Sequence, residues 1–360
     1  MIEELTRNDV ADILYGATIF GAGGGGDLEE GFDLLDRAVA AGKTFRLADL
    51  SDIPDDALIA TPYLLGALGE TPASEKAVYA SLPRAEEHPL LLAHRRMEAH
   101  LGEKIFGAVP CELGGSNTAV PFFVAAMTGG VAVDADPAGR AVPEITHSAY
   151  YLAGLPASPI AAANAFGEAM ILDNVADDRR AETLVRALCQ VSQNDIAAVD
   201  HALPARDLKG VLMAGTLRRA RALGKLWREG RRDIGKLLDL LVAAANGRIA
   251  FEGCVEGSTS RTEGGFTLGE ILISGLGAYE GSRYRVTIKN ENMAGWKDDR
   301  LDTCIPEIIS VFDRETGDVL TNPHVKVGDA VVVVILPAPD VFSTDRGREV
   351  FGPAYVGLER

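Results

Sequence analysis

The residues best suited to chemistry are acids that follow short apolar runs and stand beside glycines. Glu112 opens Glu112-Leu113-Gly114-Gly115-Ser116-Asn117, between an apolar run at 105–110 (IFGAVP) and a helix-like segment, NTAVPFFVAAMTGG. A second apolar run at 131–136 (VAVDAD) follows, so the unit reads strand, crossover helix, parallel strand. Ligands of open parallel sheets bind at the carboxyl ends of the strands. There Gly114, Gly115 and Asn117 could present N–H donors at a helix start to a developing oxyanion, and Glu112 could activate water. In the purely structural alternative, Ser116 caps the helix and the glycines make the turn.

Further acids converge on the same edge. Asp134 and Asp136 stand two apart on a strand, which puts both carboxylates on one face, and with Glu144 they could hold a divalent cation. Acids at strand ends are also turn formers, and Arg140 with Glu144 could be a structural pair. Glu70 closes LLGALGE after another strand-like segment. The run Gly21-Ala22-Gly23-Gly24-Gly25-Gly26 before Asp27 has the letters of a dinucleotide fingerprint, with Asp49 at the end of a later strand. That fingerprint needs a strand before the glycines, and here the preceding residues have a helix period. Close backbone approach to a small ligand by Gly24, Gly25, Gly26 and Asp27 is the reading retained, beside a plain tight turn.

Other chemistries find little support. The six histidines include no H-E-x-x-H, and no G-x-S-x-G elbow exists. His147 could transfer protons or be a satisfied core histidine. Cys111, Cys189, Cys254 and Cys304 form no C-x-x-C pair. Asn290 and Asn292 form, with Glu291, a polar triplet that could close the site from a second domain or simply make a turn.

The elements that must hold these groups divide the chain of 360 residues, which is long for one hydrophobic core. We expect an α/β domain with a parallel or mixed sheet over 1–170. Helices near 179–193 and 206–228 follow, then a mainly β sandwich or barrel to 360, giving α+β overall. Helices are also expected over 8–20, after Asp27, near 73–81 and 89–101, with Pro121 in the first turn of its helix. A formal charge of −17 argues against nucleic acid. Residues 206–236 carry ten Lys or Arg against three acids, read as a helix face docked on an acidic body. No apolar stretch reaches about 18 residues and the acidic N-terminus is unlike a signal peptide, so neither a membrane nor a secreted context is expected and the cytoplasm remains.

The whole chain resembles the S-methyl thiohydantoin desulfurase-like family. The resemblance rests on GAGGGGD (21–27), LGALGE (65–70), ELGGSNTAVPF (112–122), DADPAGRAVPE (134–144), GTLRRARALG (215–224), NENMA (290–294) and FGPAYVGLE (351–359), in order along the chain. It implies a cleft between an α/β and a β-rich domain, and hydrolysis of an S-methyl thiohydantoin to a hydantoin with loss of methanethiol. Glu112, Glu70, Asn117 and Glu144 are the expected catalytic set. Gly24, Gly25, Gly26, Asp27, Gly114, Gly115, Arg140, Asn290 and Asn292 are the expected substrate contacts. No cofactor is expected beyond a divalent cation at Asp134 and Asp136. A homo-oligomer is expected, and a hydantoinase or oxoprolinase partner is implied. The alternatives are a non-catalytic subunit of such a partner and, more weakly, a nucleotide-binding regulator.

Overall fold

A computed structural model describes residues 2–66 and 78–358. Glu70 and most of the helix expected near 73–81 lie outside the described residues. The described residues build two eight-stranded sheets and a small two-stranded one.

The first sheet is mixed, in the order β1 (Ile2–Leu5), β2 (Phe45–Ala48), β5 (Val131–Val133), β4 (Ile105–Ala108), β3 (Leu58–Gly66), β9 (Asp195–Pro204), β7 (Ile160–Ala163), β8 (Ala169–Leu172). Pairs β2–β5, β5–β4 and β4–β3 are parallel, as the strand–helix–strand pattern requires, and β3–β9 and β9–β7 are antiparallel. Because β9 lies inside this sheet, the α/β layer takes chain from both sides of residue 170.

Helix α1 (Arg7–Phe20) begins at a capping box, in which Thr6 and Asp9 each accept from the other's backbone amide. Asp27 caps α2 (Leu28–Ala40) by accepting from Glu29 and Glu30. Helix α3 spans Pro89–Leu101. Helix α4 spans Gly115–Thr128, two residues earlier than expected at its start. Pro121 therefore falls in its second turn, where the missing N–H leaves the Asn117 carbonyl without its helical donor. Gly114, not Ser116, is the N-cap residue, and no side chain caps this helix.

The PEITHSAYYLAG segment, whose periodicity is ambiguous, contributes α5 (Ala149–Ala153), and α6 covers Asp178–Gln190. The long helix expected at 206–228 is interrupted. Gly210 and Gly215 take φ of +85° and +81°, which ends helical progress, and between them β10 (Met213–Ala214) pairs with β6 (Ala135–Asp136). The helix proper, α7, is Thr216–Gly230, and α8 (Ile234–Ala244) follows. The basic face of α7 docks on acids. Arg218 reaches Asp134, Arg221 reaches Glu3 and Arg228 reaches Asp12.

The second sheet is antiparallel, in the order β15 (Arg300–Cys304), β14 (Glu291–Lys297), β13 (Arg283–Lys289), β12 (Phe266–Gly275), β11 (Arg248–Glu263), β18 (Ala330–Leu336), β16 (Ile308–Asp313), β17 (Val319–Leu320). Strands β14 and β16 touch although they are well separated in that order, so the sheet curls over its own core. Strand β18 is apolar throughout because both its faces are buried. Val332, Val334 and Leu336 join the helices α1, α2 and α4 in the main core, and Val331, Val333 and Ile335 fill the curl of the sheet.

Candidate active site

Two glycine segments interlock at the foot of the site. After α1 the residues Ala22, Gly23, Gly25 and Gly26 all have left-handed φ, between 48° and 83°. Three of these four are glycines because a side chain is strained there. Space is also exhausted: a Cβ on Gly25 would lie 2.5 Å from Gly114 Cα, and one on Gly115 would lie 2.6 Å from the Gly26 carbonyl. The Asn117 amide donates to the Gly25 carbonyl at 3.2 Å. Much of the glycine content thus serves backbone-to-backbone packing. Gly23 to Gly26 still form one wall of a cavity of about 810 Å³ that the two sheets share.

Glu112 also lines this cavity, beyond the carboxyl end of β4 where the strand–turn–helix pattern places it. Its carboxylate is buried and held at both ends: Oε1 accepts from Asn117 Nδ2 and Oε2 from the Val142 amide, each at 2.8 Å. Burial pushes its pKa up to about 7, the two hydrogen bonds and the Arg140 charge resisting. Asn117 is itself fixed, its Oδ1 accepting from the Leu64 amide at 3.0 Å.

Several expected contacts are made elsewhere in the molecule. The Gly114 amide donates to Thr118 Oγ1 and the Asn117 amide to Gly25, so neither is free to meet an oxyanion. Arg140 does not line the cavity. It is fully buried and donates to the carbonyls of Ala141, Pro306 and Glu307, tying the two sheets together. Asn292 is also buried behind the wall. Its amide donates to Ala22 and its Nδ2 to the Ile309 carbonyl at 2.9 Å. Asn290 does line the cavity, in left-handed conformation (φ 60°), with Oδ1 accepting from the Thr267 amide.

Asp134 and Asp136 are not paired on one strand face, since the chain leaves the first sheet at Asp134 and enters the small sheet at β6. Asp134 takes the Leu217 and Arg218 amides at the start of α7 and the Arg218 guanidinium. Asp136 takes the Ala138 and Gly139 amides in its own turn. Among the described residues no three His, Cys, Asp or Glu side chains are placed to hold a metal ion.

Glu144 lines the cavity but pairs with Lys289 at 2.9 Å and with Tyr355, not with Arg140. Burial opposes its ionisation, yet those two hydrogen bonds outweigh it and hold its pKa low. His147 lines the cavity too, between the rings of Phe351 and Tyr355, and burial drives its pKa down to about 3, so it stays neutral. Asp27 lines the cavity while capping α2. Cys304 sits on strand β15, away from the cavity lining. Asp49 receives Arg218, and the glycine run follows a helix, the context a dinucleotide site lacks.

The structure adds groups that sequence reasoning passed over. Glu291, the centre of the polar triplet, is the member that turns a carboxylate to the cavity. It packs so closely on Gly24 that a Cβ there would collide with its Oε1. Its Oε2 is buried with no hydrogen-bond partner among the described residues. Burial, and then the charge of Glu112, hold its pKa well above the carboxylate range. His201 (φ 43°) also lines the cavity, fixed by Asp200 at 2.7 Å and stacked on Tyr150 at 3.9 Å, and Tyr150 meets Thr61 at 2.8 Å. Period two along β14 could have warned that Glu291 faces away from Asn292. Nothing local marks Asp200 and His201.

This geometry belongs to a two-sheet protein with a shared, acid-lined cavity. Residues 8–174 match the model of the S-Me-THD-like N-terminal domain and residues 176–360 that of the S-Me-THD-like C-terminal domain. The chain belongs to the S-Me-THD-like family. It is similar to a protein from Chromobacterium violaceum whose X-ray crystal structure is known, at 25% identity and a TM-score of 0.76, over 99% of this chain and 98% of that one. No curated protein matches it. Among the described residues no helix is long and apolar enough to cross a membrane.

Proposed function

We propose that this protein hydrolyses an S-methyl thiohydantoin or a closely related five-membered cyclic amide in the shared cavity. The observation that carries the reading is Glu112: a buried carboxylate on the cavity wall, held by two donors and poised near neutral pH. Each oxygen keeps a further lone pair for a water molecule. Water bonds through oxygen to the ring carbon that carries sulfur, and Glu112 takes one proton. The ring C=N bond opens onto nitrogen, the carbon–sulfur bond then breaks, and methanethiol leaves. The two water protons end on ring nitrogen and sulfur, and the ring carbon becomes a carbonyl.

The family membership supports a thiohydantoin-related substrate. Gly24, Gly25, Gly26, Asp27, Asn290 and Glu144 line the cavity in which the ring would lie, whereas Gly115 packs behind the Gly26–Leu28 backbone and does not reach the lining. The product is a hydantoin, so a hydantoinase is the partner enzyme class this reading implies. The test is thiol release from S-methyl thiohydantoins by wild-type protein and by Glu112→Gln. We expect release by the wild type and a loss of about 10²–10⁴-fold in the variant. Normal turnover by the variant would remove Glu112 as base. A wild type that releases no thiol would remove the hydrolase reading and favour a binding subunit.

A further inference from the structure

We propose that Glu291, supplied by the second sheet, is the general acid of this site and protonates the departing sulfur while Glu112, supplied by the first sheet, takes a proton from water. This assignment rests on the hydrolase reading above and adds a second catalytic group to it.

Two carboxylates line one cavity in contrasting surroundings. Glu112 accepts two hydrogen bonds, from a side-chain amide and a backbone amide, and such donors favour the anion. Glu291 has a buried Oε2 that nothing among the described residues serves. A carboxylate left so is costly, whereas a neutral carboxyl group is not. Arg140 is the obvious cation to rescue it. Its Nε and Nη1 are spent on carbonyls, however, and its Nη2 meets no acceptor among the described residues. The titratable groups near Glu291 include Glu112, Arg140, Arg186, Tyr355 and its cross-strand neighbour Lys289, whose Nζ is bonded to Glu144 and Tyr355. Of these, Arg186 donates to the carbonyls of Pro143 and Gly265 and pairs with Glu182, and Tyr355 is bonded to Glu144. The Arg140 and Arg186 charges favour the anion, but neither guanidinium gives Oε2 a hydrogen bond, and burial together with the negative charge of Glu112 opposes a second carboxylate.

Two carboxyl groups whose surroundings push their proton affinities apart are the usual arrangement of an acid and a base working together. Gly24 belongs to this device, because its missing side chain is the space that Glu291 fills. In the step itself Glu291 gives its proton to sulfur as the carbon–sulfur bond breaks, and Glu112 holds the proton taken from water. Transfer from Glu112 to Glu291 through solvent restores the starting state, so no oxidant, reductant or further reactant is needed.

The test compares two leaving groups. Glu291→Gln keeps the shape and removes the acidic proton. On an S-methyl thiohydantoin it should lose about 10²–10⁴-fold in kcat. On an S-(4-nitrophenyl) analogue, whose thiolate departs without a proton, the loss should shrink to a few-fold. Glu112→Gln should slow both substrates alike. An equal loss on both substrates for Glu291→Gln, or no loss on either, overturns the assignment. If wild-type protein releases thiol from neither, the hydrolase reading has failed separately. The acid assignment is then read from carboxyl ¹³C titration of the wild type. Glu291 protonated at pH 7 beside a half-ionised Glu112 is the expected result, and an ionised Glu291 overturns it.

Discussion

Asn117 donates through Nδ2 to Glu112 Oε1 across 2.8 Å while its own Oδ1 accepts the Leu64 amide at 3.0 Å, so one side chain fixes the carboxylate to β3. A donor to a carboxylate favours its charged form, by about 1.5 kcal/mol where the acceptor is ionised. Asn117→Ala should therefore raise the Glu112 pKa further, by about one unit. The rising limb of kcat/KM against pH should move up by that amount. A profile that keeps its wild-type midpoint would show that Asn117 does not tune this acid.

Two neighbouring glycines should fail in different ways. A Cβ at Gly24 collides with a movable carboxylate, Glu291 Oε1, whereas a Cβ at Gly25 meets the Gly114 backbone at 2.5 Å and the residue has φ +78°. Gly25→Ala should cost roughly 2 kcal/mol of stability or more. Gly24→Ala should fold with a smaller loss and show its main defect in kcat. Urea unfolding beside kinetics separates the two, and equal stability losses would contradict the distinction.

Asp136 makes stability depend on pH in a known direction. Burial raises its pKa from 3.8 to about 6, against the pull of the Gly139 and Ala138 amides. The unfolded chain thus releases this proton first, and the stability present below about pH 4 is lost as pH rises towards 6. Asp136→Asn keeps the acceptor for both amides and removes the slope. Above pH 6 the variant should be more stable than wild type, by about 3 kcal/mol at most. Denaturant midpoints at pH 4 and pH 7.5 measure the difference, and a gain no larger at pH 7.5 than at pH 4 would contradict it.

Asn292→Ala should lower stability rather than alter KM. The Asn292 side chain is fully buried behind the cavity wall and satisfies the Ile309 carbonyl. Stranding that acceptor costs about 1–3 kcal/mol. A variant with wild-type thermal stability but a raised KM would place Asn292 in the binding surface after all.

What could be read before the fold was known is the backbone path to Glu112. The apolar run at 105–110, the glycine turn and the following helix are local in sequence, so strand, turn and helix follow from periodicity and turn chemistry alone. Helix α1, expected over 8–20 from its periodicity, forms over Arg7–Phe20 for the same reason. The partners of each acid were not. Asp134 meets the start of α7, and Glu144 meets Lys289 and Tyr355, across long stretches of chain. Spacing along one strand says nothing about such donors. The glycines gave a half-correct signal. They mark close approach, but the object approached includes the other glycine turn.

The position of β9 has a consequence for how the chain can assemble. Its pairing sets Leu58 opposite Pro204 and Gly66 opposite Asp195, joining segments more than a hundred residues apart. Closing so long a loop carries an entropic cost before the contacts reward it, which slows folding. During synthesis β3 must wait beside β4 with one edge open until residues 195–204 have been made. An open edge of this kind pairs readily with the wrong chain. The N-terminal segment expressed alone would keep that edge permanently and would be prone to aggregate, whereas the whole chain closes it from within.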